Sequence, residues 1–144
     1  MPTLERAIEI AASAHLGQLD KAGEPYIAHP LRVMLPFIRG GDETRAIIAV
    51  LHDVLEDSSW TAADLHREGF RTEIVEAVTA LTRPPGEAYS AFVRRAVSNE
   101  LARPVKAADL RDNLQVAHSA KLPEEERERL LEKYTAALRV ADQS

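Results

Sequence analysis

The sequence predicts an all-α fold in a single domain, and three observations carry that prediction. Apolar residues recur at helical spacing along most of the chain and never alternate with polar ones over a strand's length. Eight prolines and six glycines cut the chain into helix-sized pieces. With aromatics at only 5% of residues, Ala, Leu, Ile and Val must fill the core, and Ala and Leu are strong helix formers. A chain of 144 residues can bury one proper core without staples. The absence of cysteine excludes a disulfide framework and any thiolate metal site.

Taken in order, Thr3 is placed to cap a first helix whose Leu4, Ala7, Ile8, Ala11 and Ala12 recur at helical spacing and which ends near Leu16-Gly17. A polar loop over residues 18–25 carries Lys21, Gly23 and Glu24. The next helix opens near His29-Pro30, since proline suits a first turn, and runs to about Ile38, with Pro36 expected to kink or end it. After Gly40-Gly41, Asp42 caps a helix from Glu43 to about Glu56. Its run Ala46 to Leu51 is apolar on almost every face, which marks the buried central helix.

Thr61 with Asp64 forms a near capping box for a short helix that Gly69 stops. Ile74, Val75 and Val78 mark another helix, ended before Pro84-Pro85-Gly86, and one carrying Tyr89, Phe92 and Val93 follows. Pro104 opens the next, with Val105, Ala108 and Leu114 facing inward. The last helix spans about 123–140, with Glu124 to Glu126 favourable to its dipole and Leu130, Leu131, Tyr134 and Leu138 as its apolar face. The count is seven or eight helices.

A formal net charge of -5 argues against a nucleic-acid polymer as partner. It leaves room for a phosphorylated small molecule, because a bound divalent cation would offset the acids of a site. No apolar run approaches the roughly 20 residues that cross a bilayer, and no basic leader precedes an apolar stretch. No membrane role is expected, and the expected location is the cytoplasm.

The chemistry centres on Leu51-His52-Asp53-Val54-Leu55-Glu56-Asp57. On a continuous helix His52 and Glu56 are four apart, as are Asp53 and Asp57, so all four would reach one end of it. An imidazole and three carboxylates on an apolar helix are costly to bury unless a divalent cation uses them as ligands. A helix end with solvated acids fits the local pattern equally well, although acids there oppose the dipole. His29 alone reads as a surface residue or a cap, and Asp109 alone as part of a charged helix face.

The ordered set of segments resembles the HD superfamily of metal-dependent phosphohydrolases. Within it, the chain is most similar to the hydrolase domain of the RelA/SpoT proteins, which removes the 3′-pyrophosphate from (p)ppGpp. The matching pieces are Ala14-His15-Leu16-Gly17-Gln18, Gly23 through Pro30, Leu51 through Asp57, Val78-Thr79-Ala80-Leu81 and Val105 through Asn113, covering about residues 5–120. The resemblance implies His29, His52, Asp53 and Asp109 as metal ligands. A sulfur-free set of two imidazoles and two carboxylates suits Mn²⁺, with Fe, Zn, Co and Mg as the other candidates.

By the same resemblance, Glu56 and Asp57 orient or activate the attacking water, Asn113 contacts the nucleotide, and Lys21 lies near the substrate phosphates. Lys106 is a further phosphate-side candidate, with an ion pair to Asp109 as the alternative. His15 is expected in packing or in support behind the ligands, and His66 and His118 at the surface. Trp60 and Tyr89 are expected in helix contacts rather than base stacking.

The chain departs from the classical hydrolases at identifiable places. Asp20 stands where they carry the arginine that packs on guanine, and a carboxylate offers no cation–π contact. Leu110-Arg111 replaces Arg-Leu after the metal aspartate, and the segment between Thr79 and Lys106 is short. That layout is similar to small stand-alone HD proteins, with no room for a synthetase domain. The expected activity is hydrolysis of (p)ppGpp or a related nucleotide. The alternatives are another phosphoester, such as a nucleoside monophosphate, and a non-catalytic nucleotide- or metal-binding module. The sequence leaves the oligomeric state open, a homodimer included.

Overall fold

A computed structural model describes residues 1–143 and contains nine α-helices among them. They are α1 (Leu4–Ala14), α2 (Ala28–Arg39), α3 (Glu43–Leu51), α4 (Val54–Asp57), α5 (Ala62–Glu68), α6 (Thr72–Ala80), α7 (Tyr89–Ser98), α8 (Ala102–Ser119) and α9 (Glu124–Asp142). The described residues form no strand; a lone antiparallel bridge between Leu19 and Pro25 closes the loop after α1. Among the described residues no helix is long and apolar enough to cross a membrane.

The expected caps form. The side chains of Thr3 and Asp42 accept hydrogen bonds from the backbone N–H groups of Arg6 and Arg45, at 3.1 and 3.0 Å. Thr61 and Asp64 make a reciprocal capping box, and Gly69 ends α5 in the left-handed region at φ 101°. Pro36 does not end α2, which continues to Arg39. It lies on the exposed side, where water can satisfy the carbonyl that its missing N–H leaves unpaired. Helix α8 begins before Pro104 because the Asn99 side chain already accepts from the Ala102 N–H at 2.9 Å.

One expectation fails at an instructive place. The predicted single helix from Glu43 to about Glu56 is interrupted: α3 stops at Leu51 and α4 resumes at Val54. The Ala49 carbonyl accepts the His52 backbone N–H at 3.3 Å and the His52 Nδ1–H at 2.6 Å, which tightens the last turn. Asp53 then adopts φ -103°, ψ 0°, in the sparsely populated bridge region, and its carbonyl accepts the Asp57 N–H to start α4. The break brings the helices to nine where seven or eight were expected, and it separates the His-Asp pair from the acidic pair.

Helix α3 is the hub. Its residues Ala46 through Leu51 are all buried, and it packs against α1, α2, α6 and α8. Burial of Ile47, Ile48 and Leu51 stabilises the fold by about 1.5–3 kcal/mol each. A second, smaller cluster, Val93, Ala107, Leu110, Ala137 and Ala141, fastens α9 to α7 and α8. Thus α2, α3 and α8, which carry or precede the candidate ligands, meet around one core.

Candidate metal centre

Four side chains from distant parts of the chain converge beside the C-terminus of α3. His29 lies in the first turn of α2, His52 and Asp53 in the break after α3, and Asp109 on the buried side of α8. His29 Nε2 is 2.9 Å from Asp109 Oδ1 and 3.7 Å from Asp53 Oδ2. His52 Nε2 is 3.0 Å from Asp53 Oδ2, 3.3 Å from Asp109 Oδ1 and 3.3 Å from His29 Nε2. One ligand atom from each of His29, His52 and Asp53 lies within 4.8 Å of the others, and Asp109 joins them by its direct contacts with both imidazoles.

The hydrogen bonds behind these groups test whether a cation fits. His52 Nδ1 faces the Ala49 carbonyl and His29 Nδ1 faces the Asp112 carboxylate at 2.6 Å, so each must donate there. In the neutral rings both Nε2 atoms are then lone pairs, aimed at one another and at two carboxylate oxygens. Such convergence of acceptors demands a cation or protons. With protons alone, burial opposes charging of His29, yet hydrogen bonds to Asp109 and Asp112 push its pKa up to about 9. Burial likewise opposes ionisation of Asp109, but Lys106 and His52 hold its carboxyl well below the usual range. A divalent cation would satisfy all four donors at once, and the donor set fits one.

Next to this cluster lies a cavity of about 350 Å³ with the five candidate substrate and acid residues Lys21, Glu56, Asp57, Lys106 and Asn113 on its wall. The acidic pair is not symmetric. Glu56 Oε1 accepts the Arg83 backbone N–H at 2.8 Å, tying α4 to the loop after α6. Among the described residues no group donates to the Asp57 carboxylate, which opens toward solvent. Partial burial and the charges of Asp53 and Glu56 push its pKa up to about 6.

Asn113 Nδ2 donates to Asp109 Oδ1 at 3.3 Å and so touches the cluster as well as the cavity. Lys106 also reaches the cavity wall, but its buried ammonium donates to Asp109 Oδ2 at 3.0 Å and sits 4.5 Å from the Phe92 ring centre. Asp20 turns back on its own loop, where Oδ1 accepts the N–H groups of Ala22 and Glu24 at 2.9 and 3.0 Å. His66 and His118 are exposed and Trp60 packs against the core, as expected. Tyr89 packs beside Phe92 and also lines the cavity, with Lys133 Nζ 4.2 Å from its ring centre.

Sequence reading missed several contributors. Tyr26 donates to Asp53 Oδ2 at 2.5 Å, and Asp112 orients His29 while accepting two bonds from Arg32. Arg83, Lys133 and Tyr134 line the cavity, the last two from α9. Tyr26 and Asp112 lie inside the motif segments, but nothing in spacing alone distinguishes them from surface residues.

His15 is buried behind the cluster. Its Nδ1–H donates to Gln18 Oε1 at 2.9 Å, and Nε2 has no partner. The Gln18 amide in turn donates to the Asp57 carbonyl at 2.8 Å. Burial lowers the pKa of His15, so protons prefer the unfolded chain below its ordinary 6.5. Stability from this residue is therefore present above that pH and lost as pH falls through it. In chelator, His15→Asn should narrow the stability drop between about pH 7 and 5.5 in urea unfolding; an unchanged drop would show that His15 does not contribute.

The profile of the HD domain family matches residues 7–112. A probable GTP pyrophosphokinase of Mycobacterium leprae is 40% identical over 84 residues, covering 56% of this chain and 10% of the relative. A GTP pyrophosphokinase of Streptomyces coelicolor is 32% identical over 133 residues, 86% of this chain and 16% of the relative. A guanosine-3′,5′-bis(diphosphate) 3′-pyrophosphohydrolase of Aquifex aeolicus is 40% identical over 81 residues, 56% of this chain and 12% of the relative. The chain thus spans 10–16% of the length of these relatives. A solved structure described as a metazoan ortholog of SpoT that hydrolyzes ppGpp superposes with a TM-score of 0.77 at 24% identity, over 96% of this chain and 88% of that one. It shares the fold.

Proposed function

The chain belongs to the HD domain family, and from that premise we propose that it is a metal-dependent phosphohydrolase that removes the 3′-pyrophosphate of (p)ppGpp or a related nucleotide. The observation that carries the proposal is the convergence of four metal-type acceptors, with no donor among them, on a cavity bordered by cationic side chains. His29, His52, Asp53 and Asp109 would hold the cation, for which Mn²⁺ is the best match to the donor set. The bound cation supplies a water of lowered pKa and polarises a phosphoryl oxygen.

The remaining chemistry falls to the chain's own groups. Asp57, open and with a raised pKa, takes the proton of the attacking water at its carboxylate. Glu56 holds the cavity wall through Arg83 and keeps Asp57 in place. Lys21 and Asn113, both on the cavity wall, bind the substrate's phosphate and nucleoside parts. Lys106 faces the same cavity and fixes Asp109, so its charge serves both. A nucleotide substrate is consistent with work in the cytoplasm.

A second reading, the same machinery acting on another phosphoester, is favoured by Asp20, which lines the cavity with one carboxylate oxygen held in its own loop and offers guanine no cation–π contact. Purified protein with Mn²⁺ and ppGpp decides. Pyrophosphate release with formation of GDP is the expected result. Orthophosphate from a nucleoside monophosphate, with ppGpp left intact, would favour the second reading.

A further inference from the structure

The two imidazoles of the cluster are supported unequally. Behind His52 stands a neutral backbone carbonyl, whereas behind His29 stands a carboxylate, Asp112, at 2.6 Å. A carboxylate accepting the Nδ1–H raises the donor strength of the opposite nitrogen and fixes the ring's orientation. Asp112 does not act alone. Arg32 binds it with both arms of its guanidinium, Nε to Oδ1 at 2.7 Å and Nη2 to Oδ2 at 3.0 Å. Oδ2 is therefore shared between Arg32 and His29. The bond that Arg32 Nη2 donates to that oxygen reduces the negative charge felt by the imidazole.

The three groups also form a line from inside to outside. The side chains of His29, Asp112 and Arg32 are 4%, 12% and 42% exposed. Arg32 and Asp112 reach an open groove bounded by Phe37, Arg103, Arg111 and Gln115, distinct from the cavity that holds Glu56 and Asp57. Arg32 comes from α2 and Asp112 from α8, so the line also clamps together the helices that carry His29 and Asp109.

We propose that Asp112 and Arg32 are positioning residues that set metal affinity through His29 in opposite directions: Asp112 strengthens the His29 ligand, and Arg32 restrains that strengthening from the second groove. The inference rests on the metal reading of the cluster but not on the identity of the substrate. The two effects have opposite signs, which a purely structural clamp would not produce.

The test is the Mn²⁺ dissociation constant of the metal-free protein, measured by chelator competition at one pH without nucleotide, with circular dichroism as the check on folding. Asp112→Asn keeps the shape and an acceptor for His29 but removes the charge, and should weaken binding about 10- to 100-fold. Arg32→Ala should tighten it several-fold. The Arg32→Ala, Asp112→Asn double variant should match Asp112→Asn alone, because Arg32 acts only through the carboxylate. Weaker binding in both single variants, or no change in either, overturns the proposal. Failure of the wild type to bind Mn²⁺ overturns it together with the metal reading. Failure to cleave ppGpp while the affinities shift as stated would sink only the nucleotide assignment.

Discussion

Replacing Asp53 by alanine is expected to abolish Mn²⁺-dependent hydrolysis and to weaken metal binding by more than about 100-fold, beyond what loss of a supporting hydrogen bond costs. Asp53 Oδ2 lies 3.0 Å from His52 Nε2 and 3.7 Å from His29 Nε2, so it faces both imidazoles. Burial disfavours its charge, but His52 holds the carboxyl down at about 2, leaving it ionised. Alanine also strips Tyr26 of the oxygen to which it donates. That loss costs about 1–3 kcal/mol if the hydroxyl finds no water. Asp53→Asn, which retains an acceptor for Tyr26, separates the two effects. Thermal unfolding gives the readout: Mn²⁺ should raise the Tm of the wild type by mass action and leave that of Asp53→Ala where chelator leaves it. An equal rise in both proteins would exclude Asp53 as a ligand.

The second large effect belongs to Asp57. Asp57→Asn should lower kcat by about 10²- to 10⁴-fold, the usual contribution of a positioned proton acceptor, with Mn²⁺ affinity little changed. Its carboxylate accepts no bond from the described residues, and partial burial pushes its pKa up, toward the range where a base works at neutral pH. Glu56→Gln should do less. One Glu56 oxygen is already committed to the Arg83 N–H, and glutamine can keep that acceptor. A steady-state comparison of the two variants with the same substrate checks the asymmetry. Equal losses would mean that the acids act as a unit, and a larger loss for Glu56→Gln would reverse the assignment.

Much of the fold was legible because its signals are local. Thr3, Asp42 and Thr61 cap helices through bonds to N–H groups three residues away, as their positions before apolar-periodic segments predict. The buried run Ala46 to Leu51 was legible for the same reason. The break after Leu51 was not, since apolar periodicity reports which faces are buried and not which carbonyl a side chain will take. His52 Nδ1 competes for the Ala49 carbonyl only because the packed core turns the ring that way. The α2 proline shows the converse: a residue that usually ends helices sits where exposure makes it harmless.

For the site, the sequence by itself supplied the candidates, through its resemblance to the HD superfamily: His29, His52, Asp53 and Asp109 as the proposed sulfur-free donors, with Glu56 and Asp57 nearby. Residue type and local order are one-dimensional facts, and helix spacing is set within a few positions. Only the tertiary structure decided which groups stand behind those side chains. Asp112 reaches His29 across 83 positions of sequence and Arg32 reaches Asp112 across 80. It also decided that Lys106 pairs with Asp109 and that Asp20 folds into its own loop. Such pairings depend on how α2 and α8 pack, because a hydrogen bond fails with an error of about 1 Å, and no local pattern sets distances that finely.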